Sequence, residues 1–279
     1  MARVLHRHLI PDFGSFASIT RRFDSFKNFS TTTNMPAQTL NTVEYTSLSD
    51  AELDALKNTD RKTLFNNISC PFGHRALWTA AEVDAPVQIV EVGLYNDMPQ
   101  SYIETFNRYH TVPFLLDNGN AVYESAIIAQ YLDVKYNNGK FHSLDNPEDA
   151  ALSQLLAAKF ELGPIFALLR NNDPAKKEQL ENNLKEAFGE AERIYRENAA
   201  AYRSKGPYLL GDKFSQAEIH IVPFLFRFSL GLKHFRDFDI LADFPLLSAA
   251  FEAAIERPAF KLTTREPEFY IKSLAKFVQ

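Results

Sequence analysis

Cys70 is the only cysteine among 279 residues, and Pro71 follows it in the segment NISCPFGHRALW. From Pro71 to residue 83 the apolar residues recur at helical spacing, which predicts a helix that begins beside the thiol. Unpaired N–H groups and the helix dipole stabilise a thiolate at such an N-terminus. We therefore expect a reactive Cys70 with a lowered pKa, to which Arg75, and His74 if charged, would contribute.

A single cysteine limits the chemistry of the chain. It allows no internal disulfide and no cysteine-based metal cage, so no metal site is predicted. Gly73 stands where a dithiol enzyme has its second cysteine. The sequence therefore predicts a monothiol mechanism in which an external thiol releases the enzyme. The competing interpretation is that Cys70 is a small buried hydrophobic residue.

Two residue pairs further along the chain could recognise a peptide-like ligand. If the Val112–Pro113 bond is cis, the Val112 backbone turns towards the cysteine and can pair with an extended peptide. Otherwise Pro113 is an ordinary strand-edge proline. Glu124 and Ser125 stand between a predicted strand and a predicted helix. That helix N-terminus could bind a carboxylate and Glu124 an ammonium group, or Ser125 could serve only as a helix cap.

Local patterns predict the elements that position these residues. Residues 60–138 predict the order β-α-β-α-β-β-α, with a parallel first β-α-β unit and a hairpin that turns at Asp117 to Asn120. The polar tract at 137–150 is the predicted linker. Residues 148–279 predict an all-helical domain.

Two Ser-x-x-Glu patterns mark predicted helix starts. Ser49 with Glu52, and Ser215 with Glu218, have the spacing of capping boxes. An apolar stripe from Leu155 to Leu169 predicts one continuous helix in the second half of the chain.

Residues 1–40 differ from the rest of the chain in composition. They are rich in Arg, Ser, Thr and Phe and poor in acidic residues, as organelle transit peptides are. We expect a disordered or targeting extension that directs the protein to the mitochondrion, with a cytoplasmic or plastid location as the alternatives.

The overall composition excludes two functional classes. A net charge of −5 with mixed signs lacks the basic field that a nucleic-acid binder needs. No apolar run approaches the length of a membrane span, so no transmembrane segment is predicted.

Five segments together resemble the glutathione transferase superfamily. In order they are LFNNISCPFGHRA, TVPFLLDNG, AVYESAIIAQYL, PYLLGDKFSQAEIHIVPFL and FEAAIERPAF, covering Thr63 to about residue 277. The Cys-Pro-Phe start is similar to cysteine-type members, closest to the omega class and similar also to lambda and dehydroascorbate-reductase types. The resemblance implies an α/β thioredoxin-like N-terminal domain followed by an all-α C-terminal domain.

The same resemblance implies roles for single residues. Cys70 would be the catalytic nucleophile, which forms a mixed disulfide with glutathione. The implied glutathione-binding residues are Phe72, which shapes the pocket, Val112 and a cis Pro113, which face the cysteinyl backbone, and Glu124 and Ser125, which hold the γ-glutamyl end.

The chain departs from the family pattern at two positions, Glu218 and Pro99. Phe214, Ser215 and Glu218 match a motif that is structural in the family, although aspartate is more usual at the position of Glu218. Omega-type sequences commonly carry a lysine that helps to hold the glycine carboxylate of glutathione, and Pro99 aligns with it here. Arg108 or His110 are the alternatives for that role.

The resemblance implies a glutathione-dependent thiol transferase or reductase. Glutathione would be a co-substrate rather than a permanently bound cofactor, and the partner would be a small oxidised or electrophilic substrate. Two alternatives stay open: a transferase that mainly conjugates glutathione to electrophiles, and a non-enzymatic module that uses the same fold for binding or assembly. Whether the chain forms a homodimer is also open.

Overall fold

The computed structural model describes Leu40 and residues 42–57 and 60–278. Apart from Leu40, the predicted N-terminal extension lies outside these described residues. All of these described residues belong to one compact unit, so the two halves of the described chain pack closely together.

The first half alternates strands and helices, and the second half is helical. The strands are β1 (Thr42–Glu44), β2 (Lys62–Asn66), β3 (Gln88–Glu91), β4 (Phe114–Asp117) and β5 (Asn120–Tyr123). The helices of the first half are α1 (Asp50–Lys57), α2 (Pro71–Glu82), α3 (Gln100–Thr105) and α4 (Ser125–Asn137). Those of the second half are α5 (Pro147–Lys159), α6 (Gly163–Arg170), α7 (Pro174–Arg193), α8 (Gln216–Arg236), α9 (Pro245–Ile255), α10 (Pro258–Leu262) and α11 (Pro267–Leu274).

The five strands form one mixed sheet in the order β1-β3-β2-β4-β5. β2 and β3 are parallel, and β4 and β5 form an antiparallel hairpin, which confirms the predicted order and pairing. The hairpin turn places Asn118 at φ 52° and Gly119 at φ 79°. Asn-Gly accepts two successive positive φ angles at low cost, and such a turn matches the twist of the strands.

β1 is an addition to the predicted architecture. Residues 42–44 pair in parallel with residues 89–91 at the edge of the sheet, before the predicted start of the domain at residue 60. The strand has only three residues and is largely exposed. It therefore carries no hydrophobic alternation that a sequence pattern could show.

The hydrophobic core lies on both faces of the sheet. Successive residues of a strand point to opposite faces. Leu64 and Leu115 accordingly pack with α2 and α4, whereas Phe65 and Phe114 pack with α1 and α3. Helices therefore cover both faces of β2, the central strand, which ends four residues before Cys70.

The predicted single helix over Leu155–Leu169 is wrong. Residues 147–170 are apolar enough by length and composition to cross a membrane, since an 18-residue window within them has a mean hydropathy of 1.4. The structure interrupts this stretch after Lys159, and the resulting helices have 13 and 8 residues, where a bilayer requires about 20. Pro164, in the first turn of α6, causes the break because it has no N–H with which to continue α5.

Both capping boxes are confirmed. Ser49 N–H donates to Glu52 Oε2 at 2.8 Å, and Ser215 N–H donates to Glu218 Oε2 at 3.1 Å. The first lies on the surface, whereas Glu218 is fully buried at the start of α8.

α2 joins the two halves of the molecule. It packs against α4 on one side and against α8 and α10 on the other. Near its C-terminal end, Glu82 accepts two 2.7 Å hydrogen bonds from Arg257 and one of 2.9 Å from Trp78 Nε1. The helix that begins at Cys70 is therefore anchored in both halves.

Candidate active site

The strand register brings the segments with the predicted site residues to one end of the strands. Phe65 of β2 pairs with Phe114 of β4, which pairs with Tyr123 of β5. Cys70 follows β2, Pro113 directly precedes β4, and Glu124 directly follows β5. Because these three strand ends are aligned, all three segments leave the sheet at the same end of its strands.

Cys70 is the N-cap residue of α2, as the sequence predicts. Its Sγ accepts a hydrogen bond from Gly73 N–H at 3.4 Å, and its carbonyl accepts one from His74 N–H at 2.9 Å. A Cβ at position 73 would lie 2.4 Å from Asn66 Oδ1. A side chain at position 73, where a dithiol enzyme has its second cysteine, would therefore require Asn66 to move.

The predicted lowering of the Cys70 pKa is wrong. Cys70 is half-buried and packs against the aromatic cluster that covers one face of the sheet. Burial raises the pKa of the thiol, because an ionised sulfur loses hydration there. The Gly73 N–H and the guanidinium groups of Arg227 and Arg75 lower this pKa but do not compensate for the burial.

His74 does not supply a positive charge to the thiol. It is fully buried, and burial holds its pKa well below the ordinary imidazole value, with Arg227 adding to the effect. Its Nδ1 lies 3.0 Å from Arg227 Nη1, and its Nε2 lies 3.0 Å from Thr263 Oγ1. Because Arg227 can only donate, His74 Nδ1 is the acceptor and the proton sits on Nε2.

Arg75 lies between Cys70 and the start of α4. Its Nη1 donates to Ser125 Oγ at 3.3 Å, and its Nε and Nη2 donate to the carbonyl of His220 on α8. The guanidinium carbon is 5.4 Å from the centre of the Phe72 ring and 4.6 Å from that of Phe224. Burial lowers the Arg75 pKa to about 10, which leaves it charged at neutral pH.

Phe72 and Ser125 contact this arginine, and Glu124 directly precedes Ser125. The Phe72 ring is 43% exposed and meets the Phe224 ring edge-to-face at 4.9 Å. Ser125 is the buried first residue of α4. Glu124 precedes it at φ 67° and ψ 126°, a conformation that costs a non-glycine residue energy and is concentrated at functional sites.

The Val112–Pro113 peptide bond is cis, which confirms the conformation implied by the resemblance. Val112 is buried. Pro113 directly precedes β4, at the end of the sheet where the segment with Cys70 also begins. Val112, Pro113, Glu124 and Ser125 thus lie at the same end of the sheet as Cys70, and their role in binding glutathione stays a prediction.

Comparison with known proteins agrees with this geometry. A family model described as the glutathione S-transferase N-terminal domain matches residues 69–135, and one described as the C-terminal domain matches residues 162–263. The chain belongs to the glutathione S-transferase family. Its fold is that of the family, a thioredoxin-like domain followed by a helical domain, and the family uses glutathione as co-substrate.

Three relatives are similar to this chain at low sequence identity. The chain is 28% identical to glutathione S-transferase L3 of Arabidopsis thaliana over 76% of this chain and 86% of that protein. The trimeric glutathione transferase TDR1 of Leishmania superposes with a TM-score of 0.71 at 26% identity, over 79% of this chain and 48% of TDR1. Glutathione transferase Omega 3C of Trametes versicolor superposes with a TM-score of 0.65 at 22% identity, over 81% and 93% of the two chains. The last of these shows the shared fold alone.

Pro99, Arg108 and His110 are the positions that the sequence relates to the glycine end of glutathione. Pro99 is the N-cap residue of α3 and offers no charge. Arg108 is exposed, and its Nη2 donates to the hydroxyl of Tyr109 at 3.0 Å. His110 adopts φ 57° on the same surface loop.

Two residues near the thiol were not predicted from the sequence. Arg227 is buried on α8 and lowers the pKa of Cys70; its signal was a single arginine within the apolar run IVPFLFRFSLGL. Tyr95 lies in the loop after β3 and is 66% exposed. Partial burial raises its pKa, and the charge of an ionised Cys70 raises it further, so the two side chains are close. Nothing local in the sequence marks Tyr95, because its position depends on the sheet.

Among the described residues, no group of three or more His, Cys, Asp or Glu side chains is arranged to hold a metal ion.

Proposed function

We propose that this glutathione S-transferase is a glutathione-dependent thiol transferase or reductase in which Cys70 is the only redox-active group. One observation supports the proposal. The lone thiol caps α2, and its sulfur accepts a hydrogen bond from Gly73 N–H at 3.4 Å, at the same end of the sheet as cis-Pro113 and Ser125. A tyrosine or serine at this position would activate glutathione but could not exchange disulfides.

The reaction consists of two thiol–disulfide exchanges. In the first, the Cys70 thiolate attacks the glutathionyl sulfur of an oxidised substrate of the form R–S–S–G. A bond forms between the Cys70 sulfur and that sulfur, the S–S bond of the substrate breaks, and the released R–S⁻ thiolate takes a proton from water. In the second, the thiolate of a free glutathione attacks the same sulfur, which yields oxidised glutathione and returns Cys70. Gly73 N–H stabilises the Cys70 thiolate as attacker and as leaving group.

Glutathione binds, in this proposal, across the grouped strand ends. Its γ-glutamyl carboxylate lies at the N-terminus of α4, where the unpaired N–H groups and Ser125 Oγ favour an anion. Arg75 adds a positive charge there, since its Nη1 is 3.3 Å from that oxygen. Glu124 accepts the ammonium group, and the Val112 backbone pairs with the cysteinyl residue.

The acceptor would be a small oxidised or electrophilic molecule that contacts the exposed rings beside Cys70. Phe72 and Tyr95 are both large, exposed and near the thiol. Aromatic rings of this kind bind flat or apolar groups without strict geometry. A homodimer remains a prediction.

Intact-mass measurement after incubation with oxidised glutathione tests the thiol chemistry. The protein should gain one glutathionyl group, and excess reduced glutathione should remove it. Because the raised pKa of Cys70 keeps the thiol protonated at neutral pH, the adduct should form faster as the pH rises. A protein that gains no adduct between pH 6 and pH 10 would refute the proposal.

The two alternatives give different results in the same preparation. A transferase that mainly conjugates would turn over a standard aromatic halide electrophile with reduced glutathione at a rate independent of Cys70. A non-enzymatic module would do neither, and it would fail to bind glutathione in a calorimetric titration.

Ser125→Ala should weaken the use of glutathione without slowing the chemical step. The hydroxyl is buried, and a hydrogen bond to a charged ligand group contributes about 1.5–3 kcal/mol. We expect the KM for glutathione to rise about tenfold or more, with kcat within about twofold of wild type. Steady-state kinetics at varied glutathione measures both values.

Ser153→Ala is the matched control, because Ser153 is also a buried helical serine and its Oγ has no hydrogen-bond partner. Its KM should not change. If Ser125→Ala changed kcat and left KM unaltered, the γ-glutamyl assignment would be wrong.

We also propose that residues 1–40 direct the protein to the mitochondrion. The excess of Arg and Ser over acidic residues supports this location. Residues 1–40 fused to a fluorescent protein should co-localise with a mitochondrial dye, whereas residues 41–279 fused alone should not. Diffuse or plastid fluorescence of the first fusion would contradict the proposal.

A further inference from the structure

Arg227 is a buried cation without a buried counter-ion among its hydrogen-bond partners. It lies in the middle of α8 with 1% of its surface exposed. Its guanidinium donates to four neutral acceptors: the carbonyls of Ile68, Ser69 and Pro223, and His74 Nδ1. Buried charges are usually paired, because dehydration of an ion is costly. Four neutral acceptors satisfy its N–H groups but leave its charge uncompensated.

Two of these acceptors belong to the loop that presents the thiol. Arg227 Nη2 lies 2.8 Å from the carbonyl of Ile68, and its Nε lies 2.9 Å from that of Ser69, the residue before Cys70. The opposite side of the loop is held by Glu91, whose Oε2 accepts Ile68 N–H at 3.0 Å. The loop is thus fixed between a side chain of the sheet and a side chain of the helical half.

The groups that face Arg227 leave Cys70 as its natural counter-ion. His74 is neutral, for the reasons given above. Tyr270 on α11 has its ring 4.5 Å from the guanidinium carbon, and burial raises its pKa, so it too is neutral at physiological pH. The other groups that face Cys70 are Arg75 on α2 and Tyr95 in the loop after β3.

We propose that Arg227 is a positioning residue for the Cys70 reaction. It holds the thiol in place through the carbonyls of Ile68 and Ser69, and its uncompensated charge stabilises the thiolate that attacks and leaves. Arg227 does not touch the substrate and acts through the loop and the field. The inference rests on the proposed role of Cys70 as nucleophile.

The test is the pH dependence of Cys70 alkylation by iodoacetamide, followed by intact mass. Because Cys70 is the only cysteine, each alkylation reports on this site alone. In Arg227→Met the midpoint of the rate–pH curve should move up by about one pH unit, which lowers the rate at pH 7 about tenfold. In Arg227→Lys the midpoint should stay near that of wild type. Its plateau rate at high pH should fall, because an ammonium group cannot bind both carbonyls in the fixed fork of a guanidinium.

Arg257→Met is the matched control for general destabilisation. Arg257 also connects the helical half to α2, through Glu82, but at the end of the helix away from Cys70. Its removal should lower the melting temperature without moving the alkylation midpoint.

Three results would each overturn the inference. The first is a folded Arg227→Met protein that titrates like wild type, and the second is an Arg257→Met protein whose midpoint moves as far as that expected for Arg227→Met. The third, which can be measured even if Arg227→Met does not fold, is an Arg227→Lys protein with both the midpoint and the plateau of wild type. Alkylation requires no glutathione. A wild-type protein that forms no disulfide with oxidised glutathione would therefore refute the proposed function separately, while the alkylation curves still report on Arg227.

Discussion

Cys70→Ser should abolish glutathione-dependent thiol transfer while leaving the fold and the glutathione site intact. A hydroxyl has nearly the size of the thiol and can accept the same Gly73 N–H bond, so the helix cap survives. It cannot form a mixed disulfide. We expect the rate of reduction of a glutathionylated model disulfide to fall on the order of a thousandfold or more. No glutathionyl group should appear in the intact mass.

The binding of glutathione separates this result from misfolding. Calorimetric titration should give a Kd within a few-fold of wild type, because Val112, Glu124 and Ser125 are unchanged. A variant that binds glutathione and still reduces the disulfide would show that Cys70 is not the nucleophile. A variant that loses thiol transfer but retains or gains conjugation of an electrophile would identify conjugation as a separate activity of the same site.

Glu218→Ala should cause the largest loss of stability among single capping-residue changes. The carboxylate is fully buried and accepts four hydrogen bonds. Its Oε2 accepts the N–H and hydroxyl of Ser215 at 3.1 and 3.0 Å, and its Oε1 accepts Leu209 N–H at 2.9 Å and the Tyr195 hydroxyl at 3.3 Å. Alanine leaves these donors buried without acceptors. We expect a loss of about 3 kcal/mol or more, which corresponds to a melting temperature lower by about 6–12 °C.

Glu52→Ala is the matched control for this prediction. Glu52 makes the same capping box with Ser49 at the start of α1, but it is exposed. Water replaces the lost bonds there, so the melting temperature should change far less. Thermal unfolding followed by far-ultraviolet circular dichroism compares the two variants. Equal losses would show that burial of the Glu218 network adds nothing to an ordinary helix cap.

Glu218→Asp gives a graded result in the same assay. Aspartate is shorter by one methylene, so it can retain the bonds to Ser215 but not those to Tyr195 and Leu209. Its stability should lie between those of wild type and Glu218→Ala. The longer side chain in this protein thus extends a local cap into a contact between the helical turn that follows α7 (Ile194–Asn198), α8 and the loop before α8.

Much of the architecture follows from short stretches of sequence. The order of strands and helices between residues 60 and 138, the two capping boxes and the Asn118-Gly119 turn all depend on interactions between residues a few positions apart. The position of Cys70 at the start of a helix has the same origin, since Pro71 favours the first helical turn and Gly73 lets the helix approach β2.

The break between α5 and α6 shows where a local pattern fails. The apolar spacing from Leu155 to Leu169 is that of one continuous helix, but Pro164 removes the N–H that would continue it. β1 fails for the opposite reason, because three residues, two of them exposed, are too few to carry a pattern and acquire a strand conformation only by pairing with β3.

The sequence by itself determined that the chain has one thiol and that this thiol begins a helix, and it predicts monothiol chemistry. Only the tertiary structure decided the charge environment of Cys70. Burial against the aromatic cluster raises its pKa, His74 is neutral, and Arg227, 157 positions further along the chain, supplies a field that no nearby residue predicts. Helix capping depends on neighbours in sequence, whereas dehydration and buried charge depend on which distant side chains fold against the site.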